Sequence, residues 1–302
     1  MKRRIVIAGG SGFIGCALTE AFRAQGDDVT ILTRSPQAVT RAAREVFWDG
    51  RQAGEWRQWL DGADALINLT GKNINCPHTP ENLRAITASR VDSVKALAAA
   101  CAQVPNPPKI WVQASATGFY GDTGNRLCDV ASPVGTGSLA DICQAWEEAF
   151  NAVNPGPRKV TLRIGFVLGR EGGAFPVLSR LTRLFLGGAA GNGQQFISWI
   201  HLNDLERMFL AAVADEKLSG IYNAVAPEPV TNAEFMRALR RAWHRPWSPP
   251  VPAFALKLGT KLLGSEPTLV LMSQRCAARR FTETGFTFQF PKLASALANL
   301  TT

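Results

Sequence analysis

The chain has 302 residues, 46% of them hydrophobic, enough to bury one large core or two modest ones without disulfides or a structural metal. Its 33 Lys and Arg against 24 Asp and Glu leave a net charge of +9, but the basic residues are dispersed, so nucleic acid is not an expected partner. No apolar run approaches the roughly 18 residues of a membrane span, and Met1-Lys2-Arg3-Arg4 leads into only four apolar residues, too few for a signal-peptide core, so the cytoplasm is the expected compartment.

Ile5-Val6-Ile7-Ala8 is a short continuous apolar run, halted by Gly9-Gly10-Ser11-Gly12 before an apolar-periodic stretch from Phe13 to Phe22. That pattern predicts strand, tight loop, helix. Val29 to Leu32 predicts a second strand, and Ser35-Pro36 after it predicts a helix start, with Ser35 as cap and Pro36 in the first position. The alternation continues with a strand at Ala65 to Leu69, a long helix from Pro80 to Cys101, a strand at Ile110 to Ala114, a helix from Leu139 to Val153 and a strand at Val160 to Ile164. Strands joined by helices of this length pair in parallel through right-handed crossovers, which makes the fold class α/β with a Rossmann-like doubly wound sheet. After Gly165 the chain turns rich in Gly and Pro, and helices are expected at Pro176 to Leu186, Asn203 to Ala214, Asn232 to Trp243, Ala253 to Leu263 and Pro291 to Leu300. The expected division is a nucleotide-binding domain over 1–165, completed by segments near 197–224, and a smaller, mostly helical substrate domain over 166–302.

The glycines of Gly9-x-x-Gly12-x-x-Gly15 sit where a strand hands over to a helix. There they allow a tight turn, close backbone approach to a pyrophosphate and close helix-sheet packing, while the helix N-terminus offers free N–H groups and partial positive charge. Gly9, Ser11, Gly12, Phe13, Ile14 and Gly15 are therefore the expected phosphate-binding residues. An NAD site usually carries Asp or Glu about 20 residues further on. This chain has Thr33-Arg34-Ser35, whose guanidinium and hydroxyls suit a 2′-phosphate, so NADP(H) is the expected cofactor.

Together with Asn68-Leu69-Thr70-Gly71, Ser115-Ala116-Thr117-Gly118-Phe119-Tyr120-Gly121 and Trp199-Ile200-His201-Leu202-Asn203-Asp204, this loop resembles the extended short-chain dehydrogenase/reductases. The resemblance is closer to the YfcH-type, nucleoside-diphosphate-sugar epimerase-like branch, carried by Ser89-Arg90, Trp146-Glu147, Arg163-Ile164-Gly165, the Gly187-Gly188 to Gln195 loop, Ala226-Pro227 and Gly285-Phe286. It implies cofactor contacts from Asn68, Leu69, Thr70, Gly71, Ser115 and Arg163 in addition to the loop. It also implies a Tyr with a Lys four residues later, because hydride transfer at a carbinol carbon must be matched by proton transfer at its oxygen. The chain has two tyrosines and neither has that lysine; aligned on Glu147, the two positions fall on Leu139 and Cys143.

The candidate replacements are Ser115 at a strand end, Tyr120 on the same loop as proton donor, and Arg90 as the cation; each has a structural alternative, as cap, positioning residue or surface charge. Gln195, Trp199 and His201 are candidate substrate contacts. The six cysteines are scattered without a C-x-x-C pair and only three histidines are present, so no metal site is expected. Two functions compete. One is an NADP(H)-dependent oxidoreductase or epimerase acting on a small carbonyl, alcohol or nucleotide-sugar-like substrate; the other is an NADP(H)-binding sensor with little catalysis. A monomer or homodimer is expected.

Overall fold

The apolar runs of the first half become the middle of one sheet, where a strand covered on both faces must be apolar throughout. The computed structural model describes residues 2–36, 43–154, 156–262 and 266–302. Its first half runs β1 (Arg4–Ala8), α1 (Phe13–Ala24), β2 (Asp28–Thr33), β3 (Arg44–Phe47), β4 (Ala65–Asn68), α2 (Pro80–Cys101), β5 (Ile110–Ala116), α3 (Ser138–Asn151) and β6 (Arg158–Ile164). The second half runs β7 (Phe166–Leu168), α4 (Phe175–Arg183), β8 (Phe196–Ile197), β9 (Trp199–His201), α5 (Leu202–Ala214), β10 (Gly220–Ala224), β11 (Val230–Thr231) and α6 (Asn232–Ala242). It ends with α7 (Ala253–Leu262), α8 (Thr268–Leu271), α9 (Arg279–Thr282) and α10 (Leu293–Thr301).

Seven strands form one parallel sheet in the order β10-β6-β5-β4-β1-β2-β3. The strand order reverses at β1, which pairs with β2 on one side and β4 on the other. In open α/β sheets ligands bind outside the carboxyl ends of the strands at such a switch point. Ile5, Ile7, Ile31, Leu66, Ile67, Trp111, Val112, Val160 and Leu162 fill the main core beside this sheet. Each such side chain contributes on the order of 1.5–3 kcal/mol on burial. A second core, under α4, α6 and α10, contains Phe175, Trp199, Phe235, Leu239, Leu293 and Leu297.

Local signals explain the element ends. Thr79 caps α2 by accepting the Asn82 N–H at 3.2 Å, and Pro80 occupies the first turn, where its missing N–H costs nothing. Helix α6 begins on a full capping box between Thr231 and Glu234. The helix expected from Pro36 falls on residues 37–42, outside the described residues, as does Leu263 at the expected end of α7. Six strands, β3 and β7 to β11, are not read as strands in the sequence; β11 is only two residues long, and β10 falls in the segment near 197–224 expected to complete the first domain. β3 is an edge strand with only two apolar residues, and β7, β8 and β9 are two or three residues long, too short for any period to register.

The C-terminal stretch is woven through the rest. The Gln274 N–H donates to Phe196 O and the Ala277 N–H to Cys128 O, while the Cys128 N–H donates to Arg275 O, so this extended segment lies between the loop after β5 and β8. Arg280 reaches back to the carbonyls of Ser219 and Ile221, and Asp204 accepts the N–H groups of Gln289 and Phe290.

Candidate functional site

At the switch point, Gly9 adopts φ +79°, and a Cβ on Gly15 would lie 2.5 Å from Gly10 Cα, so the loop closes only with glycine at both positions. Helix α1 starts at Gly12 with no side-chain cap and no acidic residue in its first turn. Its first N–H groups and the positive end of its dipole therefore point at the cleft unclaimed. Space is left there for a ligand: a Cβ on Gly12 would meet nothing nearer than Gly9 O at 3.6 Å. Phe13 is held under Gly169, Gly172 and Gly173, and Ile14 packs on the main core. These features fit the pyrophosphate of a dinucleotide.

Beyond β2, Thr33 is buried and its hydroxyl is 2.8 Å from Ser11 Oγ, and it also accepts the Ser35 N–H at 3.3 Å. Thr33 thus braces two loops, those carrying Ser11 and Ser35. Arg34 and Ser35 are exposed, free to meet a phosphate. On the other side of β1 the backbone from Leu69 to Gly71 lies against the glycine loop, since a Cβ on Gly9 would meet Leu69 C and Thr70 N at 3.1 Å. Asn68 is fully buried; it donates to Ser93 Oγ and Gln113 Oε1 and accepts the Thr70 N–H, which shapes this turn without leaving Asn68 a group for a cofactor.

Three polar residues lie in one row across the sheet, because the register pairs Ser115 with Arg163 and Arg163 with Asn223. Parallel neighbours share a face, so these side chains meet beneath α3. Ser115 Oγ donates to Glu147 Oε1 at 2.6 Å, and Arg163 grips the same carboxylate through Nε at 2.9 Å and Nη2 at 2.7 Å. Arg163 Nη1 donates to the Tyr120 hydroxyl, which donates to Asn223 Oδ1, and Asn223 donates to Ala277 O. The guanidinium also lies 3.4 Å from the centre of the Phe119 ring. Burial alone would lower the Arg163 pKa, but the Glu147 hydrogen bonds and charge carry it up.

This row corrects several expectations. Tyr120 is wholly buried with both hydroxyl functions engaged, and burial, only partly offset by Arg163, pushes its pKa up to about 12, so it is a positioning residue and no proton donor to a ligand. Arg163 is committed to Glu147 and unavailable to a cofactor. Gln195 is buried and donates to the carbonyls of Ala190 and Val270. Trp199 sits in the second core with its indole N–H on Glu228 O. His201 is buried, caps α5 by accepting the Asn203 N–H, and stacks 3.9 Å from Phe290. All three hold the second half together instead of lining a cleft, because a polar residue beside a glycine loop reads alike in sequence whether it faces ligand or backbone.

Leu139 and Cys143, in the places of the expected Tyr and Lys, are buried, and burial pushes the Cys143 thiol up to about 12. Arg90 lies close by on α2. Its Nη1 donates to Lys72 O at 3.0 Å and Ile86 O at 3.2 Å, and the guanidinium lies 4.9 Å from the Trp146 ring centre. The residues that sequence reasoning passed over are Glu147 as the partner of Ser115, and Asn223, Gln113 and Ser93. For Gln113 and Asn223 the signal was a polar residue within an otherwise apolar strand, whereas Glu147 on α3 and Ser93 on α2 carried none of that kind. Among the described residues no group of His, Cys, Asp and Glu could hold a metal ion, and no helix is long and apolar enough to cross a membrane.

The sequence profile of the NAD dependent epimerase/dehydratase family matches residues 5–224, and a domain of unknown function, DUF1731, matches residues 251–300. The human epimerase family protein SDR39U1 is 33% identical over 302 residues, covering 98% of this chain and 99% of that protein. An epimerase family protein of Mycobacterium leprae is 37% identical over 310 residues, covering 100% of this chain and 96% of the relative, and a chloroplastic Arabidopsis thaliana homologue is 33% identical over 97% of this chain and 85% of its own length. The crystal structure of human SDR39U1 isoform 2 with NADPH superposes with a TM-score of 0.89 at 32% identity, covering 99% of both chains. The UDP-glucose 4-epimerase of Thermus thermophilus with NAD, at 18% identity and a TM-score of 0.77 over 99% of this chain and 98% of that one, shares the fold. With a Rossmann-like fold, an open phosphate loop and relatives aligned end to end, this chain belongs to the NAD dependent epimerase/dehydratase family, as an atypical extended short-chain dehydrogenase/reductase of the epimerase-like branch.

Proposed function

We propose that this protein is an NADP(H)-dependent oxidoreductase or epimerase-like enzyme acting on a carbonyl, alcohol or nucleotide-sugar-like substrate. The observation that carries the cofactor reading is the uncapped start of α1 under the Gly9 to Gly15 loop, with exposed Arg34 where an NAD site would carry a carboxylate. The N–H groups from Phe13 to Gly15 receive the pyrophosphate, Arg34 and Ser35 the 2′-phosphate, and the backbone of Leu69 to Gly71 borders the other half of the nucleotide. The NADPH in the human relative's structure supports this assignment. When bound, the nicotinamide ring exchanges a hydride with a substrate carbon.

Proton handling falls to Ser115. Its own proton is directed to Glu147, which leaves its lone pairs to accept a hydrogen bond from a substrate hydroxyl. On oxidation Ser115 accepts that proton as its own passes to Glu147, and on reduction the order reverses. Titrating NADPH and NADH into wild type and Arg34→Ala tests the cofactor: a preference for NADPH of about tenfold or more, lost in the variant, is expected, and equal affinities in wild type would refute it. Oxidation of bound NADPH across a panel of carbonyls tests the chemistry, with turnover abolished by Ser115→Ala at unchanged NADPH affinity.

A second reading, an NADP(H)-binding sensor with little catalysis, is favoured by one observation: both oxygens of Glu147 already accept hydrogen bonds from Arg163, and Oε1 accepts that of Ser115 as well. Tight NADPH binding with no turnover on any substrate would select this reading.

A further inference from the structure

Arg90 is a half-buried charge near the cleft that the network described above leaves without a counterpart among the described residues. No carboxylate pairs with it among the described residues, and of its three nitrogens only Nη1 has acceptors, the backbone oxygens of Lys72 and Ile86. Burial lowers its pKa, opposed only by the charge of the Cys143 thiolate form. Arg90 is half-buried, and its Nε and Nη2 are not sealed from solvent, so these two donors stay open to acceptors from water or a ligand.

The surroundings are shaped around it. A Cβ on Gly71 would lie 2.9 Å from Arg90 Cζ and 3.1 Å from both Nη atoms, so the guanidinium rests on the bare backbone of the turn after β4. That turn in turn abuts Gly9 in the phosphate loop. Trp146, whose ring lies under the guanidinium, has a buried indole N–H with no acceptor, and the buried Thr70 hydroxyl, next to Gly71, has no partner either. Donors without acceptors therefore gather on one wall of the cleft. The wall lies on the β4 side of β1, opposite the β2 side that carries Arg34. A dinucleotide whose pyrophosphate sits over the β1 loop and whose 2′-phosphate reaches Arg34 places its nicotinamide nucleotide on this wall.

We propose that Arg90 binds the nicotinamide half of the dinucleotide, its Nε and Nη2 donating to the ribose oxygens, and so supplies from α2 the cation that Cys143 cannot supply from α3. This rests on the dinucleotide reading above. It makes Arg90 a cofactor-contacting residue, separate from Tyr120, which is buried against Arg163.

The test compares two ligands that share the adenosine half. NADPH and adenosine 2′,5′-bisphosphate, which lacks the nicotinamide nucleotide, are titrated by calorimetry into wild type, Arg90→Met and Arg90→Lys. Expected is a loss of NADPH affinity of about ten- to hundredfold in Arg90→Met, a smaller loss in Arg90→Lys, and unchanged binding of the bisphosphate. The nicotinamide fluorescence enhancement of bound NADPH should fall in parallel. Should Arg90→Met fail to fold, Gly71→Ala, which displaces the guanidinium, gives the same ligand-selective loss. Equal NADPH affinity in wild type and variants overturns the proposal and assigns the cation to a substrate oxygen. Equal weakening of both ligands overturns it in favour of a structural role. A wild type that binds neither ligand sinks the cofactor reading itself, whereas a wild type that binds NADPH while Arg90→Met binds it as well sinks this inference alone.

Discussion

Glu147 and Arg163 exchange two hydrogen bonds with almost no access to water, and this pair sets the behaviour of every side chain in its row. Removing one partner strands the other charge. Glu147→Ala is therefore expected to destabilise the fold by about 3–5 kcal/mol in urea unfolding, and Glu147→Gln by less, since the amide oxygen still accepts. Tyr120→Phe leaves one Arg163 donor and Asn223 Oδ1 unpaired, costing about 1–3 kcal/mol. It should leave NADPH affinity unchanged, which an active proton donor or cofactor contact at this position would not. The place of Ser115 at the end of a buried strand was legible in the sequence, as the structure puts it at the end of β5, hydrogen-bonded to Glu147. Arg163, Gln195, Trp199 and His201 were not, because whether a polar side chain at a strand end meets a ligand or a carbonyl depends on burial, which a local motif does not encode.

Elements divide by the strength of their own signals. Helix α2 was read to its exact ends, Pro80 and Cys101, because Thr79 and Pro80 mark its start unambiguously. The central strands were plain as apolar runs, whereas β7 pairs with β9 and β8 with β11 across long stretches of chain, and β3 is an edge strand added to β2. Thr231→Ala should cost about 1 kcal/mol, the usual worth of an N-cap, visible as a lower urea midpoint. Between α1 and α5, burial and the nearby Glu20 push the Glu206 carboxyl from 4.5 up to about 7. A pKa raised in the folded state adds stability that is complete below about 4.5 and is lost as pH rises through about 7. Glu206→Gln should thus raise stability at pH 8 by about 1 kcal/mol, after discounting for its solvent-facing part, and leave it unchanged at about pH 4.5. Melting curves at the two pH values distinguish this from a general packing effect.

At the scale of the whole molecule, a ligand that binds only the folded chain stabilises it by about 2.7 kcal/mol at a hundredfold excess over its Kd. NADPH should therefore raise the melting temperature, and NADH at the same concentration should raise it less. The +9 charge predicts that this gain shrinks with salt, because phosphates are drawn in partly by long-range attraction. The woven C-terminal segment carries a consequence for synthesis. Thr117 and Gln274, bonded at 2.7 Å, lie 157 residues apart, and Asn223 waits 54 residues for Ala277. At roughly 5–20 residues per second on the ribosome, about 8–30 s pass between the emergence of the first pair's members. During that interval the loop after β5 and strand β8 lack the segment that joins them, and a nascent chain halted before Gln274 would be a substrate for chaperones and proteases while its nucleotide loop is already complete.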